Sequence, residues 1–231
     1  MKFVFFIILF TSNLLAIFED NSYTYVNEAK NGNVKKAVKI CTNSSFNTGY
    51  SIYNQQKKYF DKKVSRDELK EVCKIAIKSG DWEAETTYAK LIMGSSNIIE
   101  QELAFKLFLK NARKGEVFSY DDIATMYLYP KFRNLRKSEY WFLKAINEGA
   151  LSNVKEINQC TLALVYILDK NSSLYNLQKA FNLVSSALNN SNDKYTQRTC
   201  ESILSDIKSI DSNIQNRPKN NSKPEFSEFG G

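Results

Sequence analysis

Few residues of this chain could do chemistry, and their spacing argues against most of it. Ser152-Asn153-Val154-Lys155 and Ser191-Asn192-Asp193-Lys194 both fit SxxK, the nucleophile motif of penicillin-recognising enzymes. The SDN and KTG boxes that accompany it are absent. In a chain this rich in Ser, Asn and Lys the spacing arises by composition, so a hydrolase is the weakest reading. Histidine is missing altogether. That removes Ser-His-Asp and Cys-His nucleophiles and imidazole metal ligands. Phosphate-cradling GxGxxG and GxxxxGKS loops are absent too. Asp121-Asp122 is an acidic pair at an expected helix start, where the helix dipole favours carboxylates. No cofactor is expected.

The first residues read as a leader. Lys2 supplies a positive charge, Phe3 to Phe10 is an unbroken apolar run, and Ala16 ends a cleavage-like segment. The run falls short of the roughly 20 apolar residues a spanning helix needs. The expectation is a signal peptide over 1–16 and a mature chain that is periplasmic or secreted, with no stable membrane insertion. The net charge is +7, of which residues 17–80 carry +5 and residues 81–231 only +1. A mildly basic first third suits an acidic partner, although solvated helix faces account for it as well.

Export gives the four cysteines a meaning. Cys41, Cys73, Cys160 and Cys200 form no CxxC pair, which argues against zinc. An even number behind a leader implies disulfides. Three pairings exist. Cys41–Cys73 and Cys160–Cys200 are favoured because the two pairs lie towards opposite ends of the chain. Each closure is expected to contribute on the order of 3–4 kcal/mol in the chain-entropy model.

These residues need a scaffold, and the scaffold is a repeat. The segment from Ala104 to Gly115 recurs 34 residues later from Ser138 to Gly149. Fainter echoes end at Gly32 and Gly80. A period of this size signals stacked helix pairs. Ala104, Leu107, Phe108 and Ala112 form one stripe, and Trp141, Phe142, Ala145 and Ile146 another. Lys110 falls on the polar side of its helix, where its loss is expected to change little. Asn97, with Glu100 three residues on, forms an expected capping box, and Asn134 an expected cap. Gly32, Gly80, Gly115 and Gly149 sit where a left-handed residue ends a helix. Between the stripes a large residue, a small one and a second large one recur as Tyr88-Ala89 with Ile92, Ile123-Ala124 with Tyr127, and Leu162-Ala163 with Tyr166. Ile40-Cys41 takes the same offset. The small member lets a neighbouring helix approach. Helices are further expected over 154–169, 176–189 and 194–211, the last with Ile203, Leu204, Ile207 and Ile210 on one stripe as a terminal cap. Residues 212–231 read as a disordered tail.

The pattern Ala104…Leu107-Phe108…Lys110…Ala112…Gly115, with Tyr88-Ala89…Ile92 and Ile123-Ala124…Tyr127, resembles the Sel1-like repeat, a relative of the tetratricopeptide repeat. Ser138 departs from its usual alanine, and Asn189-Asn190-Ser191 replaces its terminal glycine. The resemblance implies an all-α, right-handed solenoid of antiparallel helix pairs over 17–211. It implies protein–protein interaction, often in the bacterial envelope, and no nucleic acid. One recurrent role of small exported members is immunity against toxic effectors, notably lipases delivered by type VI secretion. An envelope adaptor or a host-protein binder is the alternative. By analogy with the tetratricopeptide groove, Glu83, Thr86, Lys90, Asp121, Thr125 and Leu164 would line a concave face, with Cys160 and Ile167 beside Leu164.

Overall fold

The computed structural model describes residues 27–43, 66–149 and 152–216. The expected leader, the segment Tyr50–Lys63 and the tail beyond Asn216 lie outside the described residues. Every regular element among the described residues is helical. They are α1 (Val34–Asn43), α2 (Arg66–Ala76), α3 (Trp82–Ile92), α4 (Ile98–Arg113), α5 (Tyr120–Met126), α6 (Leu135–Glu148), α7 (Ser152–Ile167), α8 (Leu177–Asn190) and α9 (Lys194–Ile210). Short 3-10 turns lie at Ile77–Ser79, Val117–Ser119, Pro130–Phe132 and Ile214–Asn216. The chain forms two compact units, Met1–Met126 and Tyr127–Gly231.

Side chains start these helices. Asp81, Asn97, Asn134, Asn176 and Asp193 accept from Ala84, Ile99, Lys137, Lys179 and Thr196 N–H at 2.8–3.0 Å. Each satisfies an orphan donor of the first turn. The expected capping box at Asn97 does not close. Ser95 Oγ accepts from the Asn97 N–H at 3.1 Å, and Glu100 turns instead to Lys70, 2.5 Å away. A long-range cation competes better for a carboxylate than a neutral amide does.

Gly32, Gly80 and Gly115 are left-handed as expected, and Gly80 at φ +74 closes its turn on Ile77 O. Gly115 at φ +90 bonds to Ala112 O, and the Glu116 N–H reaches back to Asn111 O at 3.1 Å. Gly32 at φ +94 is closed the same way through Ala29 and Glu28. Both are Schellman ends that a Cβ would strain. Gly149 corrects the expectation. Its φ is −65 and ψ 132, with its N–H on Ala145 O, so it is extended rather than left-handed. A Cβ there would stand 2.3 Å from Ala145 O, so close approach explains the glycine. Ser191 ends α8 with the same extended cap at φ −90. It is therefore no departure from the end seen at Gly149.

In the first unit α1, α2 and α3 pack against one another, α3 against α4, and α4 against α5. In the second, α7 packs against α6, α8 and α9, and α8 against α9. The small positions Cys41, Ala89, Ala124 and Ala163 are wholly buried, and so are Ala104, Ser138 and Ala180. Phe108 and Phe142 fill the core beside them. Each such aromatic contributes roughly 1.5–3 kcal/mol of burial. Ile146 is only half-buried. The stripe of α9 is shifted from expectation. Thr196, Cys200, Ile203 and Ile207 are buried, while Ile210 is 39% exposed. The expected tail also begins too early, because Ile214 is wholly buried on a turn packed against α8.

Two disulfides staple the units, one in each. Cys41 on α1 joins Cys73 on α2, and Cys160 on α7 joins Cys200 on α9. Their Cα atoms are 5.2 and 5.3 Å apart, within the usual span. All four residues are fully buried.

Candidate functional site

The expected binding positions in the first unit fall mainly on α3. That helix buries eight of its eleven residues, including Glu85, Thr86 and Thr87. It is enclosed because α1, α2 and α4 all pack on it. Successive turns then meet the following segment. Trp82 stacks on Phe118 with ring centroids 6.1 Å apart. Thr86 Oγ1 lies 3.2 Å from Ser119 Oγ and accepts from Asn111 Nδ2 at 3.2 Å. Lys90 Nζ stands 3.1 Å from Asp122 Oδ2. The spacing i, i+4, i+8 puts all three on one stripe.

Thr86 is thus corrected from a groove position to an interior one, 6% exposed. Its hydroxyl belongs to a buried hydrogen-bonded group. Lys90 and Asp121 belong to a charged joint between α3 and α5. Burial pushes the Asp122 carboxyl up to about 7, against the pull of Lys90 and with the push of Asp121. Burial likewise raises Asp121, opposed by Lys90. Burial works against the Lys90 ammonium, but the two aspartates outweigh it and its pKa is raised. Two carboxylates share one ammonium, so the cluster holds a proton readily near neutrality.

Glu83 is half-buried, and its carboxyl is raised by burial and then by Asp81 and Glu116. Thr125 on α5 is half-buried. In the second unit Leu164 and Ile167 are half-buried on α7, whereas Cys160 is committed to its disulfide. The structure therefore brings Lys90 and Asp121 together with Asp122, as an internal joint.

Two further pairings lay beyond sequence reasoning. Lys110, expected on an indifferent polar side, bonds the buried Glu85 of α3. In the second unit Tyr166 donates to Glu139 Oε1 at 2.6 Å, and Lys179 reaches the same oxygen at 3.2 Å. Lys179 also lies 4.2 Å from the centre of the Tyr166 ring. Burial and then Glu139 push the Tyr166 phenol far up, so it stays protonated as a donor. The i+3 spacing of Lys137 and Lys179 from the caps Asn134 and Asn176 is the one signal in sequence. Lys137 sits 5.7 Å from the Tyr127 ring, a looser version of the Lys179 contact.

At the second SxxK, Ser191 is 7% exposed and its Oγ accepts from Asp193 N–H at 3.2 Å, while Lys194 is exposed. Among the described residues no group of three Cys, Asp or Glu could hold a metal ion. No helix among them is long and apolar enough to cross a membrane. No family model matches the chain, and no curated protein does.

Proposed function

We propose that this chain is a non-catalytic, exported binding module, built as a right-handed solenoid of Sel1-like helix pairs, that captures one protein partner. The observation that carries the reading is the recurrence of one packing position. Cys41, Ala89, Ala124 and Ala163 are each fully buried, and each follows a large buried residue, Ile40, Tyr88, Ile123 or Leu162. A helix pair that repeats its close-approach site stacks its neighbours regularly and presents a surface. Two buried disulfides support an oxidising compartment. The partner favoured by the resemblance is a toxic effector, which makes the chain an immunity protein.

Affinity capture of the tagged, exported chain from its own envelope, followed by mass spectrometry, tests this. One stoichiometric protein partner is the expected result, and for immunity that partner is a toxin whose activity the chain suppresses at equimolar ratio. Recovery of the exported chain alone refutes the binding reading. Capture of a harmless partner refutes immunity and leaves the adaptor role.

A further inference from the structure

Three aromatic rings of the second unit each hold a lysine of the same chain. Lys179 lies over Tyr166, Lys137 over Tyr127 and Lys144 over Trp141, at 4.2, 5.7 and 5.6 Å from the ring centres. The first unit builds a similar platform and surrounds it differently. Trp82, on the first turn of α3, stacks on Phe118 of the 3-10 turn before α5, with the rings 5° from parallel. Trp82 is half-buried and Phe118 is 37% exposed. Among the described residues no lysine or arginine lies over the Trp82 ring.

Carboxylates edge this pair. Asp81 and Glu83 flank Trp82 in the chain, and Glu116 immediately precedes the turn that carries Phe118. All three are half-buried, and none of them is in an ion pair. After burial, Asp81 and Glu116 both push the Glu83 carboxyl up, so the three lie near enough to repel one another. Residues 81–126 hold eight acidic and five basic residues, so this stretch is acidic within a chain of net charge +7.

The arrangement is held from inside. Asn111, wholly buried on α4, donates through Nδ2 to Trp82 O at 3.3 Å, and its own carbonyl accepts from the Glu116 N–H at 3.1 Å. One residue thereby ties the helix start to the turn. Asp81 fixes the same helix start through the Ala84 N–H at 2.9 Å. A surface positioned in advance loses little freedom on binding.

We infer that the Trp82–Phe118 pair, with Asp81, Glu83 and Glu116 at its edge, is a docking surface for a lysine- or arginine-bearing segment of the partner protein. This rests on the protein-binding reading above and names the chemistry of that partner. An aromatic face attracts a cation through its quadrupole. Neighbouring carboxylates add charge attraction and strong acceptors for ammonium or guanidinium donors. The same three carboxylates repel an acidic segment, which gives the surface its selectivity.

The probe is a fluorescent glycine–arginine peptide of about ten residues, titrated against the full exported chain at low salt, with phosphatidylcholine vesicles in parallel. The positive net charge of the chain opposes non-specific binding of such a peptide. Glu116→Lys is expected to weaken peptide binding at least about fivefold, and Phe118→Leu at least about threefold. Glu116→Gln, which removes the charge without reversing it, should give a smaller loss in the same direction. Glu201→Lys makes the same charge reversal on an exposed residue of α9 and should leave binding within about twofold. Equal losses for Glu116→Lys and Glu201→Lys mean net charge alone and overturn the inference. So does unchanged binding by Phe118→Leu, or no peptide binding at all. Tighter binding to the vesicles that Glu116→Lys abolishes also overturns it, in favour of a lipid headgroup. The envelope capture repeated with Glu116→Lys separates the two proposals. A partner retained by that variant overturns the docking surface and leaves the binding reading standing. A wild-type chain that captures nothing overturns the binding reading itself.

Discussion

Lys110 offers the sharpest test of the first unit. Its ammonium is 45% exposed, yet its partner Glu85 is only 4% exposed and sits at the packing of α3 on α4. The second carboxylate oxygen, Glu85 Oε2, is buried without a hydrogen-bond partner. Lys110→Ala therefore strands a carboxylate that water cannot reach. An exposed pair contributes about 0–1 kcal/mol, and breaking a fully buried one costs roughly 3–5 kcal/mol. With one partner half in water, the expected loss is about 2 kcal/mol. Lys106→Ala, at an exposed lysine on the same helix, should stay within about 0.5 kcal/mol. Urea unfolding followed by circular dichroism measures both. Adding Glu85→Gln closes a double-mutant cycle, whose coupling should reach about 1–2 kcal/mol because Glu85→Gln removes the stranded charge. Equal, small losses for Lys110→Ala and Lys106→Ala, with no coupling, would refute the argument.

Replacing Cys160 and Cys200 by alanine opens a loop of sequence separation 40 and should remove about 4 kcal/mol of stability, read from denaturant midpoints of oxidised chains; a loss below about 1 kcal/mol contradicts the chain-entropy account. Asp122 should impose a pH dependence. Its carboxyl is raised from 3.8 to about 7 in the folded chain, so between those values the folded state holds a proton that the unfolded state has released. The stability from this group is fully present below 3.8 and is lost as pH rises through about 7. Asp122→Asn should flatten that fall, so stability curves that are parallel across the window exclude it.

What could be read in the sequence is what local periodicity dictates. The small positions Ala89, Ala124 and Ala163 repeat against large neighbours, and that pattern has meaning only on a buried helical face. With four cysteines spread in two groups, the order along the chain pointed to the two bonds that form. Asn134 announced a cap because short polar side chains before an apolar stripe do little else. Thr86 departs from its expected groove position for a different reason. Whether Thr86 points to solvent depends on how many helices surround α3, and no window of sequence counts neighbours. Glu85 and Lys110 lie 25 residues apart, and each taken alone resembles an ordinary solvated charge. Gly149 was misassigned because a glycine signals only that a Cβ is unwelcome. A left-handed turn and a close carbonyl leave the same letter. On α9 the buried stripe runs through Thr196, Cys200, Ile203 and Ile207 and leaves Ile210 outside, because the helical turn and not side-chain type sets which residues share a face.

The enclosure of α3 has a consequence for how such a chain can change over generations. A helix with almost no solvent face offers almost no neutral substitutions, since each new side chain must fit neighbours on every side. Mutational scanning across 82–92 should find a nearly intolerant block. Recognition that has to keep pace with a changing partner cannot be written there. It can drift only where a residue changes without the packing noticing, on solvent-facing turns and helix starts. In this chain, specificity and stability are inherited on separate letters, and the exposed ones can be rewritten without refolding the rest.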